Sequence, residues 1–323
     1  MDLKEIQSPV AEHIAKFEPY FSRSLQSPNK LLTLATNHIF RRKGKQMRPL
    51  LVFLAAQAAG GVTEASYAAA ALIELLHNAS LVHDDVVDEA YTRRAQWSMM
   101  GLWGPRIAVL VGDFFLARGM SLAVEGHHFD ILSVVSDAVR DLAEGELSQM
   151  DHARKLDTDE AAYYDIIRQK TATLIRACTR AGATSVGAKP SVVDALAAYG
   201  EALGMAFQIR DDIFDYQPAG LLGKPVLNDI KEQKLTLPLI AAMQQATEAE
   251  RRHLLKTVRR NPQSADTVAL ALKMVTDHNG IALAQEKMEL FARKAKDALD
   301  FLPPSAARNS LAMLVDFNTK RKG

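Results

Sequence analysis

The sequence predicts an all-α protein that forms a single domain over residues 1–323. Apolar residues recur at spacings of three and four residues along most of the chain, which is the period of an amphipathic helix. Segments in which apolar and polar residues alternate, as in half-buried strands, are absent from the sequence. Neither a linker rich in Gly, Ser or Pro nor a repeat of fixed period divides the chain. These observations favour one all-helical domain.

Capping residues, prolines and glycines bound the predicted helices. Ser8-Pro9 and Ser27-Pro28 each place a capping side chain before a proline, and this pattern predicts the start of a helix. Gly60-Gly61 ends an apolar helix, and Ser191-x-x-Asp194 matches a capping box. The expected loops are 93–104 and 218–229, and the later helices are expected at 50–59, from 63 onward, and at 107–124, 131–150, 159–182, 191–216, 236–245, 248–260, 264–279, 281–301 and 305–319.

Composition and charge restrict the class of protein. Hydrophobic residues make up 48% and charged residues 24% of the chain, which is typical of a folded globular protein. A formal net charge of +1 provides no excess for attraction to nucleic acid, so we expect no nucleic-acid partner. The single cysteine, Cys178, cannot form an internal disulfide, and the sequence shows no secretion signal and no continuous apolar run of about 18 residues. We therefore predict a cytoplasmic protein without a transmembrane segment.

Two clusters of aspartates provide the main functional signal. In each, the residues stand at positions i, i+1 and i+4, so that at about 3.6 residues per helical turn the first and last share a face and the second lies beside them. One such cluster alone is equally consistent with a solvated helix face. Here both clusters follow apolar segments, where like charges are costly unless a cation joins them, and the pair therefore predicts bound metal. The members are Asp84, Asp85, Asp88, Asp211, Asp212 and Asp215.

Basic residues near the clusters indicate the kind of ligand. Magnesium prefers oxygen ligands and is usually held by one or two carboxylates together with substrate phosphates. Lysine and arginine bind phosphate oxygens, although each one taken singly is more often a solvated surface charge. Carboxylates beside such residues predict Mg²⁺ and a phosphorylated ligand. The candidate phosphate-binding residues are Lys45, Arg48, Arg93, Arg94, Lys224 and Lys234.

Short motifs accompany both clusters between residues 40 and 240. In chain order they are Gly44-Lys-Gln-Met-Arg-Pro49, His77, Asp84-Asp-Val-Val-Asp88-Glu-Ala with Arg93-Arg94, Val111-Gly-Asp113, Gly145-Glu-x-x-Gln149, Lys170-Thr171, Phe207-Gln-Ile-x-Asp-Asp-x-x-Asp215, Gly223-Lys224 and Lys234-x-Thr-x-Pro238. Together they resemble the trans-prenyl diphosphate synthases, also called polyprenyl synthetases. The chain departs from the family's pattern at Leu227, before Asn228-Asp229, and at Ala95 and Trp97. Neither departure removes a charged residue, so the implied activity is retained.

The resemblance implies a bundle of helices around a central cavity, usually as a homodimer. It also implies Mg²⁺-dependent condensation of isopentenyl diphosphate with an allylic prenyl diphosphate, with a farnesyl or geranylgeranyl primer. The allylic diphosphate would ionise, the isopentenyl double bond would attack the cation, and a proton would be lost to the released diphosphate. We expect contact with a membrane only transiently, when the product is released.

Residue roles follow from the resemblance, motif by motif. The main magnesium ligands would be Asp84, Asp88 and Asp211, supported through water or hydrogen bonds by Asp85, Asp212 and Asp215. The allylic diphosphate would be held by Arg93, Lys170, Lys224 and Lys234. The isopentenyl diphosphate would be held by Lys45, Arg48, His77 and Arg94. The neutral dipoles near the cation would be those of Thr171 and Gln208.

Small residues one turn before the first cluster bear on product length. A growing prenyl chain must extend away from the diphosphate into an apolar tunnel, past Ala79 and Ser80. In the resembling family, bulky aromatic residues at these positions stop elongation early, so the small side chains predict a long-chain product, longer than geranylgeranyl and of the kind used for quinone side chains. The tunnel walls and floor would be formed by Ile73, Leu76 and either Phe114 or Phe115. A short-chain product is the alternative, if the small residues only let a neighbouring helix pack closely.

Other functions stay open on the sequence alone. A non-catalytic subunit of a heteromeric synthase would fit the fold, but such a chain is expected to lose members of the aspartate clusters, and here all of them remain. A di-iron helical bundle would use Glu-x-x-His ligands, a spacing matched by Glu74 with His77 and by Glu250 with His253. The two arginines between Glu250 and His253 indicate a solvated helix instead. A histidine on an apolar helix, such as His77, is more often a core residue bonded to a carbonyl, and only its place seven residues before Asp84, on the same face, favours a functional role.

Overall fold

The computed structural model describes residues 2–40, 46–93, 96–216 and 227–320. Apart from one two-stranded hairpin, the regular structure of these residues is helical, which confirms the predicted all-α class. The helices are α1 (Leu3–Gln7), α2 (Ala11–Ser24), α3 (Lys30–Phe40), α4 (Met47–Ala59), α5 (Glu64–Val87), α6 (Met99–Trp103), α7 (Pro105–Glu125), α8 (Phe129–Lys155), α9 (Glu160–Ile167), α10 (Thr173–Thr184), α11 (Pro190–Asp215), α12 (Asn228–Lys231), α13 (Leu237–Gln245), α14 (Glu248–Arg260), α15 (Ala265–Asp277), α16 (Gly280–Leu299) and α17 (Ala306–Lys320). The antiparallel hairpin is formed by β1 (Thr92–Arg93) and β2 (Gln96–Trp97).

The first two helix starts differ from those predicted. Asp2 caps α1, so the chain is already helical before Ser8-Pro9, and the proline falls in a short 3₁₀ turn between α1 and α2. Asn29 takes the capping role predicted for Ser27, because its side-chain oxygen accepts hydrogen bonds from the first backbone N–H groups of α3. In both cases a carboxylate or amide oxygen provides the cap, and the predicted serine does not.

Three later boundaries also differ. Ser191 lies inside α11 instead of capping it, because Pro190 occupies the first helical position, where a missing N–H costs nothing. The helix expected over 159–182 is divided into α9 and α10 by a π-helical turn at Arg168–Ala172. The loop expected over 93–104 contains β2 and α6. The π-helical turn interrupts the helical period only briefly, and β2 and α6 are short, so hydrophobic spacing alone does not reveal these elements.

The chain forms two compact units. The first unit consists of residues 1–139, 177–197 and 301–311. The second unit consists of residues 140–176, 198–300 and 312–323. The predicted single domain over residues 1–323 stays a prediction.

In the first unit, α5 packs along α7 and against α4. The contact between α5 and α7 is close because two glycines of α7 leave room for side chains of α5. A Cβ atom at Gly112 would lie 2.2 Å from the Nε2 atom of His83, and one at Gly119 would lie 2.7 Å from the Cδ1 atom of Leu72. Because such approaches leave no space for a larger residue, they fix the end of α5 that carries the first aspartate cluster.

In the second unit, a hydrophobic core surrounds α11 and includes buried residues of α13, α15 and α16. Ala206 and Ile209 of α11 are fully buried in this core. Gly204 brings α11 directly against the π-helical turn, since a Cβ atom there would lie 2.5 Å from the Cα atom of Ala172. The second aspartate cluster at the end of α11 is therefore built on a tightly packed helix.

Within the part of the chain that the structure describes, three helices, α5, α7 and α11, are long and apolar enough to cross a membrane by length and composition alone. In α7 only 33% of the most apolar stretch is buried within the protein. The predicted lack of a transmembrane segment stays a prediction, since length and composition do not distinguish a spanning helix from a core or interface helix.

Candidate active site

The first aspartate cluster lies at the C-terminal end of α5. Asp84 is half-buried, and Asp88, which caps the helix, is exposed. Asp85 is only 4% exposed, and its Oδ1 atom accepts a hydrogen bond of 2.6 Å from Nε of Arg93 on β1. The structure differs here from the predicted convergence of three carboxylates, because Asp85 is paired with a cation of the protein itself. Asp84 and Asp88 are the accessible carboxylates of this cluster.

The hairpin that carries Arg93 is tied to the end of α5 and to α3. Ser98 donates a hydrogen bond of 2.5 Å to the carbonyl oxygen of Ala90, directly after the cluster. The backbone oxygen of Trp97 accepts a hydrogen bond of 3.0 Å from Nε2 of His38 on α3, while the indole ring is exposed. Trp97, one of the departures from the family's pattern, therefore lies on the surface of a hairpin held by backbone contacts.

His83, directly before the first cluster, meets the Val111-Gly-Asp113 motif of α7. Its Nε2 atom lies 3.2 Å from the carbonyl oxygen of Val109 and 3.5 Å from Oδ1 of Asp113. Gly112 leaves the space that the imidazole ring occupies. This motif thus serves to seat His83, a residue that sequence reasoning did not select.

Residues predicted to bind isopentenyl diphosphate stand on packed helices of the first unit. Arg48 lies in the first turn of α4, which packs against α5. Burial raises the pKa of Glu74 on α5, and the positive charge of Arg48 opposes that shift. His77, further along α5, is half-buried, and its carbonyl oxygen accepts a hydrogen bond of 2.9 Å from the Ser80 hydroxyl. Arg48 and His77 are therefore carried by neighbouring helices.

Most of the residues predicted to control product length are buried in the first unit, whereas Ser80 and Phe114 are half-buried. Ala79, Ile73 and Leu76 are buried on α5. Phe115 of α7 is fully buried, and its ring centroid lies 5.6 Å from that of Phe40. Of the two candidate floor residues, Phe115 is thus the enclosed one.

The second aspartate cluster begins with an exposed carboxylate held by a buried arginine. The side chain of Asp211 is 44% exposed, and its Oδ1 atom lies 3.0 Å from Nη2 of Arg210. Arg210 also donates to the carbonyl oxygen of Asn318 on α17, and its guanidinium lies 5.0 Å from the ring centroid of Phe207. The arginine is anchored by these contacts and presents Asp211 at the surface of the second unit.

Asp212 points into the interior of the second unit. It is 4% exposed, its Oδ2 atom accepts a hydrogen bond of 2.6 Å from Tyr163, and its Oδ1 atom accepts one of 2.7 Å from Nε2 of Gln208. Burial and then the charge of Asp229 raise the pKa of Asp212 well above its ordinary value, whereas the two donated hydrogen bonds act in the opposite direction. Both oxygens of Asp212 are therefore occupied by protein donors.

Asp215 closes the second cluster by holding the chain that follows. Its carboxylate accepts hydrogen bonds of 3.2 Å from the backbone N–H groups of Asn228 and Asp229. Leu227 adopts a left-handed backbone conformation with φ of 57°, which is rare for a leucine, and its N–H bonds to the Asp215 carbonyl oxygen. Burial raises the pKa of Asp229 to about 6; the charge of Asp215 adds to this shift, and Lys234 opposes it.

Lys170 lies in the π-helical turn and is held by α8. Its Nζ atom donates a hydrogen bond of 2.7 Å to Oε1 of Gln149 and lies 2.5 Å from Oε2 of Glu146. Gly145 permits this approach, because a Cβ atom there would lie 2.9 Å from the backbone nitrogen of Lys170. The Gly145-Glu-x-x-Gln149 motif therefore positions a lysine, which explains its glycine and both of its polar residues.

A cavity of about 140 Å³ lies within the second unit. It combines two ammonium groups with neutral oxygen and amide dipoles and with two carboxylates. Its polar lining includes Lys170, Thr171, Gln208, Asp212, Asp229 and Lys234. Such a lining suits an anionic group at the lysines and a polarised or positively charged group at the neutral dipoles.

The structure brings most of the predicted residues of the second unit into one cavity, with Asp211 and Asp215 outside its lining. The predicted residues Lys45, Arg94 and Lys224, and the departure Ala95, lie outside the described residues. Sequence reasoning missed Tyr163 and Asp229 as parts of the cavity. Asp229 had a signal, since it follows the Leu227 departure, but a lone tyrosine in a helical segment gives none.

No group of three or more His, Cys, Asp or Glu side chains could hold a metal ion among the described residues. A metal bound here would therefore need further ligands, as in the predicted mode where phosphate oxygens complete the coordination. The di-iron alternative gains no support, because Glu250 instead accepts hydrogen bonds of 2.9 and 2.7 Å from Thr247 in a capping box.

Comparisons with known proteins agree with the fold. A model of the polyprenyl synthetase family matches residues 29–275. The chain is 36% identical to an all-trans-nonaprenyl-diphosphate synthase (geranyl-diphosphate specific) of Rhodobacter capsulatus, over 96% of this chain and 95% of that protein. It is 35% identical to a short chain isoprenyl diphosphate synthase of Methanothermobacter thermautotrophicus, over 92% of each chain. A polyprenyl synthase of Caulobacter crescentus CB15, solved with calcium and isoprenyl diphosphate, superimposes with a TM-score of 0.90 at 32% identity, covering 100% of this chain and 98% of that one.

Fold, aspartate clusters and relatives together define an all-helical prenyltransferase. The chain belongs to the polyprenyl synthetase family. This confirms the family resemblance and the enzyme class predicted from the motifs.

The bond between Asp85 and Arg93 can be tested by comparing two aspartates of the same cluster. Asp85→Asn should lower the free energy of unfolding by about 1–3 kcal/mol, because it weakens a charge-assisted bond to a buried acceptor. Asp88→Asn, at an exposed position, should change it by less than about 0.5 kcal/mol. Urea unfolding of the metal-free protein measures both. Equal stability of the two variants and the unchanged protein would show that the bond does not stabilise the fold.

The raised pKa of Asp229 predicts a pH-dependent stability. Since the folded state binds this proton more tightly than the unfolded chain does, the contribution is complete below pH 3.8 and is lost as the pH rises through about 6. Asp229→Asn should therefore be more stable than the unchanged protein at pH 7, by about 1–3 kcal/mol, with the difference shrinking toward pH 4. Urea unfolding at several pH values measures this. A pH-independent difference would contradict the assignment.

Proposed function

We propose that this chain condenses isopentenyl diphosphate with an allylic diphosphate, farnesyl or geranylgeranyl, to give a long-chain all-trans polyprenyl diphosphate. The observation that carries the proposal is the likeness to a nonaprenyl-diphosphate synthase over 96% of the chain. The cavity of the second unit supports it, because two lysines lie there with the neutral dipoles of Thr171 and Gln208. Cationic groups suit a diphosphate, and neutral dipoles suit a carbocation.

In the proposed reaction the allylic diphosphate ionises first. Lys170 and Lys234 hold the leaving diphosphate and lower the cost of its developing negative charge. Thr171 and Gln208 direct oxygen lone pairs at the allylic cation, and as neutral groups they stabilise it without capturing it. The ion pair of Lys170 with Glu146 keeps the ammonium group in place before substrate binds. Arg93 and Lys224 are proposed as further ligands of this diphosphate.

The isopentenyl diphosphate provides the attacking double bond. Arg48 and His77 are proposed to bind its diphosphate, and the packing of α4 on α5 supports their shared role. Lys45 and Arg94 are proposed to bind it as well. The new carbon–carbon bond moves the positive charge to the isopentenyl unit, and loss of a proton to the released diphosphate converts this cation into the allylic double bond of the lengthened diphosphate.

We assign divalent metal binding, with Mg²⁺ as the physiological ion, to Asp84, Asp88 and Asp211. These carboxylates fit the group because they are hard oxygen ligands and are not buried. The Caulobacter crescentus relative was solved with calcium and isoprenyl diphosphate, which supports a divalent ion. When bound, Mg²⁺ would neutralise charge on the diphosphate. The other three aspartates are proposed to support this set through water or hydrogen bonds: Asp85, Asp212 and Asp215.

A long product is proposed from the small residues Ala79 and Ser80. The Ser80 hydroxyl is bonded within its own helix, so its polar group is satisfied there, and among the described residues it bonds to no other helix. The nonaprenyl relative supports a long chain. The short chain relative, of nearly equal identity, keeps a short product as the alternative outcome of the product assay.

A homodimer is proposed from the surface of α7. Four large apolar side chains lie exposed along this helix, and pairing with a second copy would remove them from water. They are Val109, Leu110, Met120 and Val124.

We further propose that the enzyme is located in the cytoplasm. We propose transient membrane contact during product release, because a long prenyl chain is insoluble in water.

The assignment of the aspartates predicts loss of turnover. Asp84→Ala and Asp211→Ala should each reduce kcat by at least about a hundredfold, because each removes stabilisation of charge in the transition state. Asp194→Ala is the matched control, since Asp194 lies exposed on the same helix as Asp211 and should leave turnover unchanged. Turnover is measured with labelled isopentenyl diphosphate, Mg²⁺ and allylic primers. Near-normal rates in both site variants would refute the assignment.

Product length is tested at Ser80. Ser80→Phe should shorten the products while condensation continues, because the ring would block the tunnel one turn below Asp84. Ser80→Ala removes the hydroxyl without adding bulk and should leave product length unchanged. Chromatographic sizing of the products measures both. Unchanged products from Ser80→Phe, or a farnesyl or geranylgeranyl product from the unaltered enzyme, would overturn the tunnel argument.

A further inference from the structure

Four side chains of the second unit form a directed series of hydrogen bonds. Thr171 donates its hydroxyl proton to Oε1 of Gln208 at 2.8 Å, and Nε2 of Gln208 donates to Oδ1 of Asp212 at 2.7 Å. From the other side, Tyr163 donates its hydroxyl proton to Oδ2 of Asp212 at 2.6 Å. All four residues line the same cavity. Every bond in the series therefore points toward the carboxylate of Asp212.

The direction of the series decides what Thr171 can offer to a ligand. A hydroxyl has one proton and two lone pairs, so a threonine that donates to Gln208 keeps its lone pairs for another group. If the Gln208 amide were turned over, its NH₂ group would face Thr171 and occupy one of those lone pairs. The amide is held in this orientation because both oxygens of Asp212 accept hydrogen bonds, Oδ1 from Nε2 of Gln208 and Oδ2 from Tyr163, so the NH₂ group faces Asp212.

We propose that Tyr163 is a positioning residue for prenyl transfer, which orients Gln208 through Asp212 and so keeps the oxygen lone pairs of Thr171 directed at the allylic cation. The tyrosine holds the second oxygen of Asp212 and thereby fixes the plane of the carboxylate that receives the Gln208 amide. This inference rests on the proposed function, since it assigns Thr171 to the cation.

Burial and contrast with a neighbour support the role of Tyr163. The ring is 3% exposed, and burial together with the charge of Asp212 raises the pKa of its hydroxyl, which keeps the proton available for donation. The next residue, Tyr164, has its hydroxyl 2.9 Å from Oε1 of Glu160 and does not line the cavity. Only one of these two adjacent tyrosines is therefore connected to the series that ends at Thr171.

The test compares Tyr163→Phe with Tyr164→Phe, each of which removes one buried or half-buried hydroxyl. We expect Tyr163→Phe to lower kcat by about tenfold while KM for both substrates stays within about twofold, because the lost alignment affects charge that develops only in the transition state. Tyr164→Phe should retain kcat. Equal kcat for both variants would overturn the proposal, and so would a rise in KM without a fall in kcat.

A double variant separates positioning from a general loss of structure. If Tyr163 acts through Thr171, then in a Thr171→Val background the change Tyr163→Phe should have no further effect on kcat. A merely structural role would lower kcat by the same factor in both backgrounds, which would refute the series. The unaltered enzyme is assayed in parallel: lack of condensation there would defeat the proposed function, whereas normal condensation with an unaffected Tyr163→Phe would defeat only this inference.

A second variant covers the case in which Tyr163→Phe does not fold. Asp212→Asn has only one oxygen to accept with, so it must lose the bond either from Tyr163 or from Gln208. It should lower kcat by a smaller factor in the Thr171→Val background than in the unaltered background, because its part in the series acts through Thr171 whereas its support of the metal-binding aspartates does not. Losses that multiply between Asp212→Asn and Thr171→Val would show that Asp212 acts independently of the series, and the proposal would be wrong.

Discussion

Each aspartate cluster depends on a carboxylate that is withdrawn from solvent. Asp85 and Asp212, the second member of each cluster, are both 4% exposed. An unpaired carboxylate in such a position would cost several kcal/mol, so each must be provided with donors from elsewhere in the chain. Asp85 takes Arg93 from the hairpin, and Asp212 takes Tyr163 from α9. The buried carboxylates thus join the elements around them, and the accessible carboxylates of each cluster are left for ligands.

Close packing at glycine residues also helps to position the candidate active site. Gly145 lets α8 approach Lys170, and Gly204 lets α11 approach Ala172, so that both glycines face the same π-helical turn. Such turns occur often at functional sites, because the wider turn shifts side chains away from their regular helical directions. Here the turn presents Lys170 and Thr171 to the same cavity from adjacent positions. Small residues on the neighbouring helices therefore determine where a cation and a hydroxyl are placed.

Local patterns were sufficient for the fold class and for the aspartate clusters. Hydrophobic period, prolines and glycines indicated most helices, and spacing predicted that the first and last carboxylates of each cluster share a helix face. Spacing could not show which carboxylate of a cluster is buried, since that depends on a partner such as Arg93, which lies in a hairpin beyond the helix. Tyr163 and Asp212 are far apart in sequence and meet only through packing of α9 on α11. Contacts of this kind leave no periodic signal in the chain.

The residue that caps a helix could not be chosen from residue type alone either. Ser27 and Asn29 are both good caps by residue type, and the choice between them depends on where the first turn of α3 closes. The conformation of Leu227 is another case, because a leucine with positive φ contradicts local preference and is maintained by its bond to Asp215 and by complete burial of its side chain. Tertiary contacts override local preference at both positions.

The single cysteine of the chain has a practical consequence. Cys178 is fully buried, and burial raises the pKa of its thiol to about 12, so that at neutral pH it is neither accessible nor ionised. Maleimide reagents attack thiolates and should leave the native protein unlabelled. A cysteine introduced at any exposed site would therefore be the one reactive thiol of the folded chain. Fluorophores or spin labels could be attached singly, without first removing the native cysteine, to follow movements of the enzyme during turnover.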